Sequence, residues 1–545
     1  MEKSALSWPP RSLRNLAICM AMVLLLLPLT AQSAGKIPAS IAKTLGTHNI
    51  PAADVSLYVS RVSETSPSLA LNEAVPRNPA SVMKLLTSLL ALDTLGPDYR
   101  WRTEAYIQGT LEQGVLVGDL ILKGYGDPHL TPERFWQLLH GLRERGIQMI
   151  QGDLILDGSY FIATKEQRGD FDGKPWRAYN ALPYPLSLNF QTTQLHLLPD
   201  RTEGVVHAFT YPPLANLKIS NHTKLVSGPC LKSHLRPVVH LSEHKNGATV
   251  NIQGSYSTKC SEWSNTYLVM DPAEHLGGAF SLLWKEMGGQ FNGVVKQGIV
   301  PHGAESFHSI ESRSLAEVIR GMNKFSNNLM SRMLLLTVSA ETQGAPATIT
   351  QSQDLIADWL SSWRLSSERV RVSNGAGLAR DAQISAEIIG QLLQTAFQSP
   401  IMPEFMASLP IVGIDGTMRK RLHKTALVGR AHIKTGSLND VSSMAGYVQD
   451  RHNQRWVVTL IINHPGLRAW QGKQIQDAVL RWVYKGVERN LEGTGLITQA
   501  SASACKDPLQ APAYSEQAMN RSQSDKTEIQ LLRTAAIEQD QLLDE

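Results

Sequence analysis

Asn78-Pro79-Ala80-Ser81-Val82-Met83-Lys84-Leu85-Leu86-Thr87-Ser88-Leu89-Leu90-Ala91-Leu92 joins a proline-marked turn to an apolar run, Val82 to Leu95, that stops at Gly96-Pro97. That pattern predicts a buried helix with Ser81 near its first turn. Positions i and i+3 share a helix face, so Ser81 and Lys84 meet. A serine hydroxyl is a weak nucleophile near neutral pH and needs a base within hydrogen-bond reach. Lysine serves as that base only when its pKa falls, through loss of water or a neighbouring cation. The apolar helix supplies the first cause. A serine near a helix N-terminus also has a free backbone N–H that can face a developing oxyanion.

Two further motifs follow in order, Ser326-Asn327-Asn328 and Lys434-Thr435-Gly436. Pattern alone is weak: Ser242-Glu243-His244-Lys245 is also S-x-x-K, but it lies in a polar stretch beside a turn with no apolar helix behind it. S-x-N recurs at Ser187-Leu188-Asn189 and Ser437-Leu438-Asn439. Ser326 reads either as a cap for the following helix or as a hydroxyl that passes a proton to a leaving amine. In the second case the Asn328 amide holds substrate backbone and Lys84. Lys434-Thr435-Gly436 occurs once, in an expected strand; standing alone it would read as a surface turn. On a strand, Gly436 removes bulk where a substrate lies along the edge. Lys434 and Thr435 then recognise a carboxylate, the Ser437 N–H completes the oxyanion hole, and Lys434 is the second cation near Lys84.

The N-terminus carries Lys3, Arg11 and Arg14 before the apolar run Leu16 to Leu27, then small residues at Ala31-Gln32-Ser33-Ala34. This is the pattern of a secretory signal peptide, residues 1–34, cleaved after Ser33 or Ala34. An uncleaved anchor is the rival; the short run and Pro28 count against it. The expected compartment is the periplasm. Without the leader the formal charge falls from +4 to about +2, with no basic arm, so nucleic acid is not an expected partner. Of four cysteines, Cys19 leaves with the leader and Cys505 sits in a polar tail. Cys230 and Cys260 are the disulfide candidates in an oxidising compartment. Neither has a second cysteine at ligand spacing, which argues against a metal site.

Along the chain, Val55 to Val62 reads as a strand, and from Trp101 the texture changes to short strands and turns. Gly118-Asp119-Leu120-Ile121-Leu122-Lys123-Gly124 recurs as Gly152-Asp153-Leu154-Ile155-Leu156-Asp157-Gly158, with a helical stretch Thr131 to Arg145 between. Two copies suggest related strands of an inserted module, not a solenoid. Alternating segments between about Val205 and Val300, with a turn at Lys245-Asn246-Gly247, mark a second β-rich stretch. Helical patterns return at Ser314 to Met322, Ser326 to Ala340 and Ile349 to Trp363. Strands follow at Ala431 to Lys434, Met444 to Val448 and Trp456 to Ile462, spaced as an antiparallel meander. Residues 491–545 read as a polar tail, expected to be disordered over Ser501 to Lys526, in which Glu528 to Leu543 has amphipathic helical spacing with no partner evident in the sequence.

The ordered S-x-x-K, S-x-N and K-T-G set belongs to enzymes that acylate a serine with penicillin or an acyl-D-Ala-D-Ala peptide. Met322-Asn323-Lys324-Phe325-Ser326-Asn327-Asn328-Leu329 and Ser408-Leu409-Pro410-Ile411-Val412-Gly413-Ile414-Asp415-Gly416-Thr417-Met418 extend the match. From Lys36 to Arg489 the chain resembles the D-alanyl-D-alanine carboxypeptidase/endopeptidases of the penicillin-binding protein 4 type, the low-molecular-mass class C group. One phrase departs from that pattern: Asn374-Gly375-Ala376-Gly377-Leu378-Ala379-Arg380 stands where the family usually has Asp-Gly-Ser-Gly-Leu-Ser-Arg. The change removes a carboxylate and two hydroxyls near the cleft and is expected to leave the three motifs untouched. The resemblance implies an α+β fold, a penicillin-recognising serine transpeptidase/β-lactamase-like domain split by nested β-rich insertions. Expected boundaries are 35–100 plus 299–490 for the catalytic domain, 101–124 plus 201–298 for domain two, and 125–200 for domain three. It further implies a serine DD-peptidase with Ser81, Lys84 and Ser326 catalytic and Asn328, Lys434, Thr435, Gly436 and Ser437 binding substrate. No cofactor or metal is required. The expected partners are peptidoglycan peptides ending in or cross-linked through D-Ala, and β-lactams as covalent inhibitors; loose membrane association is compatible with this picture. A β-lactamase is the rival within the fold, disfavoured by size and by the lack of a glutamate phrase to activate water. A silent cell-wall scaffold is the rival outside catalysis, and the altered phrase and the tail are what favour it.

Overall fold

The computed structural model describes residues 37–230 and 238–487. The expected signal peptide, the polar tail with its Glu528 to Leu543 segment, and Cys505 lie outside the described residues. Strands β1 (Val55–Arg61) and β2 (Leu69–Leu71) share an antiparallel five-stranded sheet with β3 (Ala431–Leu438), β4 (Val441–Gln449) and β5 (Arg455–Asn463), in the order β3-β4-β5-β1-β2. Segments near the two ends of the chain thus build one sheet. The meander is as expected, but β3 and β4 run longer, because Gly436, Ser437, Ser442 and Ser443 are small polar residues with little strand signal.

Trp456-Val457-Val458-Thr459-Leu460-Ile461-Ile462 is almost wholly apolar because helices cover both faces of the sheet. Side chains alternate between the two cores with period two. Val55, Leu57, Val59, Trp456, Val458, Leu460 and Ile462 pack with α1 (Ala39–Thr47) and α6 (Ala469–Tyr484). Tyr58, Ala445, Tyr447, Val457 and Ile461 pack with α2 (Lys84–Leu95), α3 (Leu315–Phe325), α4 (Asn328–Gln343) and α5 (Ala386–Gln398). The first of these cores supports the sheet; the second holds the helices that carry the motifs.

Between α2 and α3 the chain builds a seven-stranded sheet with strands at Arg102–Glu112, Val115–Gly124, Met149–Ile150, Leu154–Asp157, Gln290–Phe291, Val295–Gln297 and His308–Glu311. The two copies of the Gly-Asp-Leu-Ile-Leu phrase lie side by side, parallel and in matching register, Leu120 against Leu154 and Leu122 against Leu156. Helix Pro132–Glu144 crosses between them, giving a βαβ unit. Each phrase uses its aspartate alike: Asp119 accepts from Asp153 N at 2.7 Å, and Asp153 accepts from Val294 N at 2.9 Å. The expected division at residue 125 therefore runs through one sheet. Smaller sheets, of strands Thr193–Asp200, Val205–Tyr211 and Trp263–Tyr267 and of Leu217–Asn221, Val238–His244 and Gly247–Gln253, form a β-rich part with its own core cluster, joined to the core of the larger sheet through Leu217, Leu241, Ala248 and Tyr267. Cys230 and Cys260 are disulfide-bonded within it.

Candidate active site

Ser81 sits in a 3-10 turn, Ala80–Met83, that runs directly into α2. On such a turn residues i and i+3 eclipse, and Lys84 Nζ donates to Ser81 Oγ at 3.0 Å. Ala80, just before the serine, has φ 44°, a left-handed backbone at a fully buried alanine. Such a conformation costs of order 1 kcal/mol and persists only where the surroundings over-determine it. Those surroundings are visible. Ser443 Oγ donates to Pro79 O at 2.5 Å, Asn463 Nδ2 to Asn78 O at 3.0 Å, and Asn78 Nδ2 to Ala379 O at 2.8 Å.

Lys84 is completely buried and donates to three acceptors: Ser81 Oγ, Asn328 Oδ1 at 2.7 Å and the Ala376 carbonyl at 2.7 Å. Its pKa is held well below the ordinary lysine value, first by burial and second by the charge of Lys434. None of its three acceptors carries a charge, so nothing offsets the loss of water. The sequence expectation for both causes matches this arrangement.

Helix α3 begins with a capping box between Ser314 and Glu317 and ends at Ser326, which adopts the left-handed conformation at φ 58°. The next residue, Asn327, caps α4 by accepting from Met330 N at 3.0 Å. The capping role considered for Ser326 therefore belongs to its neighbour. Freed of it, Ser326 Oγ accepts from Lys434 Nζ at 2.8 Å. Asn328, the first residue of α4, accepts from Lys84 and donates from Nδ2 to the Tyr179 carbonyl at 3.1 Å. Ser81, Lys84 and Asn328 thus form one hydrogen-bonded set and Ser326 with Lys434 a second, all nearly buried, with the Lys434 charge felt at Lys84.

β3 is an edge strand, so alternate backbone groups along Lys434-Thr435-Gly436-Ser437 face away from β4. A Cβ on Gly436 would lie 2.4 Å from Ser443 Oγ, 2.7 Å from Pro79 O and 2.8 Å from Ser81 N. The glycine is required by the Ser81 turn packed on it, a different reason from the substrate clearance that its position on the strand suggests. Thr435 Oγ1 donates to Thr417 Oγ1 at 3.2 Å. Behind Thr417, Lys324 Nζ donates to Asp415 Oδ2 at 2.6 Å and to Leu409 O at 2.9 Å, tying the loop before β3 to the end of α3. Burial lowers the Lys324 pKa, and Asp415 partly restores it.

The Asn374 to Arg380 phrase reaches Lys84 through its backbone, which the changed side chains leave in place. Ala376 O is a Lys84 acceptor, and Gly375 O accepts from Thr87 Oγ1 and Ser331 Oγ, each at 2.8 Å. Asn374 Oδ1 accepts from Ala376 N at 3.1 Å, and its Nδ2 donates to Leu378 O at 2.9 Å. A carboxylate there makes the first bond only. Sequence reasoning also missed Tyr179, Thr417, Asp415 and Ser443. The carbonyl partners carry no side-chain signal, and Thr417 and Asp415 were legible only as part of the 408–418 phrase.

This geometry and the order of its parts agree with a family model that matches residues 37–485, the D-Ala-D-Ala carboxypeptidase 3 (S13) family. The chain belongs to that family. It is therefore a serine-type D-Ala-D-Ala carboxypeptidase in reaction class. A D-alanyl-D-alanine carboxypeptidase of Actinomadura sp. (strain R39) is 28% identical over 390 residues, covering 68% of this chain and 70% of the relative. The D-alanyl-D-alanine carboxypeptidase DacB of Haemophilus influenzae is 22% identical over 387 residues, covering 70% of this chain and 80% of the relative. The crystal structure of penicillin binding protein 4 from Haemophilus influenzae superposes with TM-score 0.69 at 20% identity, over 82% of this chain and 99% of that chain. The fold is thus the α+β, penicillin-recognising one. Among the described residues no helix is long and apolar enough to cross a membrane, and no group of three or more His, Cys, Asp or Glu side chains is placed to hold a metal ion.

Proposed function

We propose that Ser81 is the nucleophile of a DD-carboxypeptidase and DD-endopeptidase that trims or cleaves peptidoglycan stem peptides ending in or cross-linked through D-Ala. Ser81 Oγ attacks the carbonyl of the scissile bond as Lys84 takes its proton. The backbone N–H groups of Ser81 and Ser437 hold the oxyanion. Ser326, backed by Lys434, returns a proton to the departing amine, and Asn328 positions the substrate backbone. Lys434 and Thr435 recognise the terminal carboxylate, and water releases the acyl-enzyme. β-Lactams occupy the same serine as slow-leaving acyl groups. The observation that carries this reading is Lys84: fully buried, depressed in pKa, and 3.0 Å from Ser81 Oγ.

Export to the periplasm is proposed on the leader pattern, together with loose association with the membrane. The catalytic domain is assigned to 35–100 plus 299–490, its second part entering after His308–Glu311, which still pairs in the insertion's sheet; a nested 125–200 unit is not retained, because strands on either side of 125 and of 200 pair with each other. In support of the outer boundaries, the five-stranded sheet takes strands only from residues 55–71 and 431–463. Labelling with a fluorescent penicillin tests the assignment of the serine. Wild type is expected to label and Ser81→Ala not to; an unlabelled wild type, or rapid turnover of nitrocefin by it, overturns the reading.

A further inference from the structure

The loop between α5 and β3 carries a surface that the reaction leaves unused. Ile414 and Val428 are 50% and 39% exposed. They are contiguous: a Cβ built on Gly413 would lie 2.8 Å from Val428 Cγ2 and 3.2 Å from His423 Cα, and one on Gly429 lies 3.4 Å from Ile414 Cδ1. Arg419, Lys420, Arg421, His423, Lys424 and Arg430 lie in the same stretch of chain, between or beside Ile414 and Val428 in sequence. The one acid of residues 409–430, Asp415, is taken by Lys324, and Arg421 is paired with Asp477. Arg419, Lys420, Lys424 and Arg430 have no acidic partner among the described residues. An apolar centre with four unmatched cations in the same stretch of chain fits an acidic amphipathic segment.

The chain itself contains one. Residues 488–545 hold ten acidic and five basic residues, a net charge of −5, whereas residues 37–487 are net +6. Residues 528–545 alone hold five acids against Arg533, with Ile529, Leu532, Ala536 and Ile537 at helical spacing. The described chain also ends beside the patch. The Tyr484 carbonyl accepts from Arg451 N at 3.0 Å, and the same turn holds Arg430 through Asn453 Oδ1 at 3.3 Å. The 40 residues 488–527 span up to about 130 Å when extended, so the segment is within reach. Tethering makes its docking an intramolecular step, an advantage a free partner of the same chemistry lacks.

We propose that residues 528–545 dock on this patch, with Ile529, Leu532 and Ile537 against Ile414 and Val428, and the acids against Arg419, Lys420 and Lys424. The patch abuts the cleft through Thr417 and Thr435, so the docked segment sits at one rim of the site. The inference stands on charge and connectivity, independently of the role assigned to Ser81.

Hydrogen–deuterium exchange tests it on the full chain, a chain ending at residue 527, and the full chain with Lys420→Glu and Lys424→Glu. Amides within 411–430 are expected to exchange several-fold faster in both altered proteins. In the full chain their protection is expected to be independent of protein concentration and to weaken as salt rises. The charge-reversed protein keeps the readout if the shortened chain does not fold. Equal exchange in full and altered chains overturns the proposal. Protection that disappears on dilution overturns it in favour of a second copy. Binding to phosphatidylglycerol vesicles that needs Lys420 and Lys424 but leaves exchange insensitive to the tail overturns it in favour of a membrane surface.

Discussion

Lys84 shows how a single residue ties stability to function. Burial shifts its titration in the fold toward the neutral form relative to the unfolded chain. The unfolded state therefore binds more protons between the depressed folded pKa and the ordinary lysine value, about 10.4. Stability rises with pH across that window and loses the contribution below it. Urea unfolding at several alkaline pH values should show this slope in wild type and not in Lys84→Met. The same substitution should reduce the rate of penicillin acylation by a factor of about 10³ or more, as expected on removing a base. Asp415 acts at one remove. Asp415→Asn leaves Lys324 buried without a counter-charge, which costs about 2 kcal/mol after allowance for the partial exposure of the aspartate. Thermal melting reads that cost; a fall in acylation rate beyond it reports displacement of Thr417 and Thr435.

At the scale of elements, the site is a meeting of helix ends with a sheet edge. The Ser81 turn rests on Gly436 of β3, so Gly436→Ala should push the two apart. A cost of about 1–3 kcal/mol is expected for overpacking a buried contact, together with loss of acylation and without unfolding of the insertion. Limited proteolysis and penicillin labelling separate these effects. His275, buried in helix Pro272–Glu286, is a control far from the chemistry. Its imidazole is held down at about 4 by burial and has Thr193 Oγ1 at 3.0 Å. The fold keeps it neutral, so stability falls as pH drops from about 6.5 toward 4. His275→Gln should remove about 3 kcal/mol of that pH dependence, seen as a flatter plot of melting temperature against pH.

For the molecule as a whole, the β-rich insertion has its own core, and its Cys230–Cys260 bond spans 30 positions. Replacing both cysteines with serine should cost that body about 3 kcal/mol by loop-closure entropy while penicillin labelling of Ser81 persists. A shared loss of both would mean that the bodies unfold together. At this scale much was legible beforehand. The three-stranded meander was visible because β5 is almost wholly apolar, and the repeated phrase because both copies occupy equivalent strands; β2 and the pairing of β1 onto β5 were not. The partition at residue 125 was less so: both copies share one sheet, and side chains do not record which strands exchange backbone hydrogen bonds. By itself the sequence determined the Ser81–Lys84 pair, because three residues along a helical turn fix that contact locally. It determined as well the burial that depresses Lys84, since the apolar run around it admits no water. Only the tertiary structure decided that Ala376 and Tyr179 supply carbonyls to the network, that Asn327 and not Ser326 caps α4, and that Gly436 is small for the sake of the Ser81 turn. These contacts are made by backbone atoms or by residues hundreds of positions apart, and neither leaves a pattern in the order of side chains.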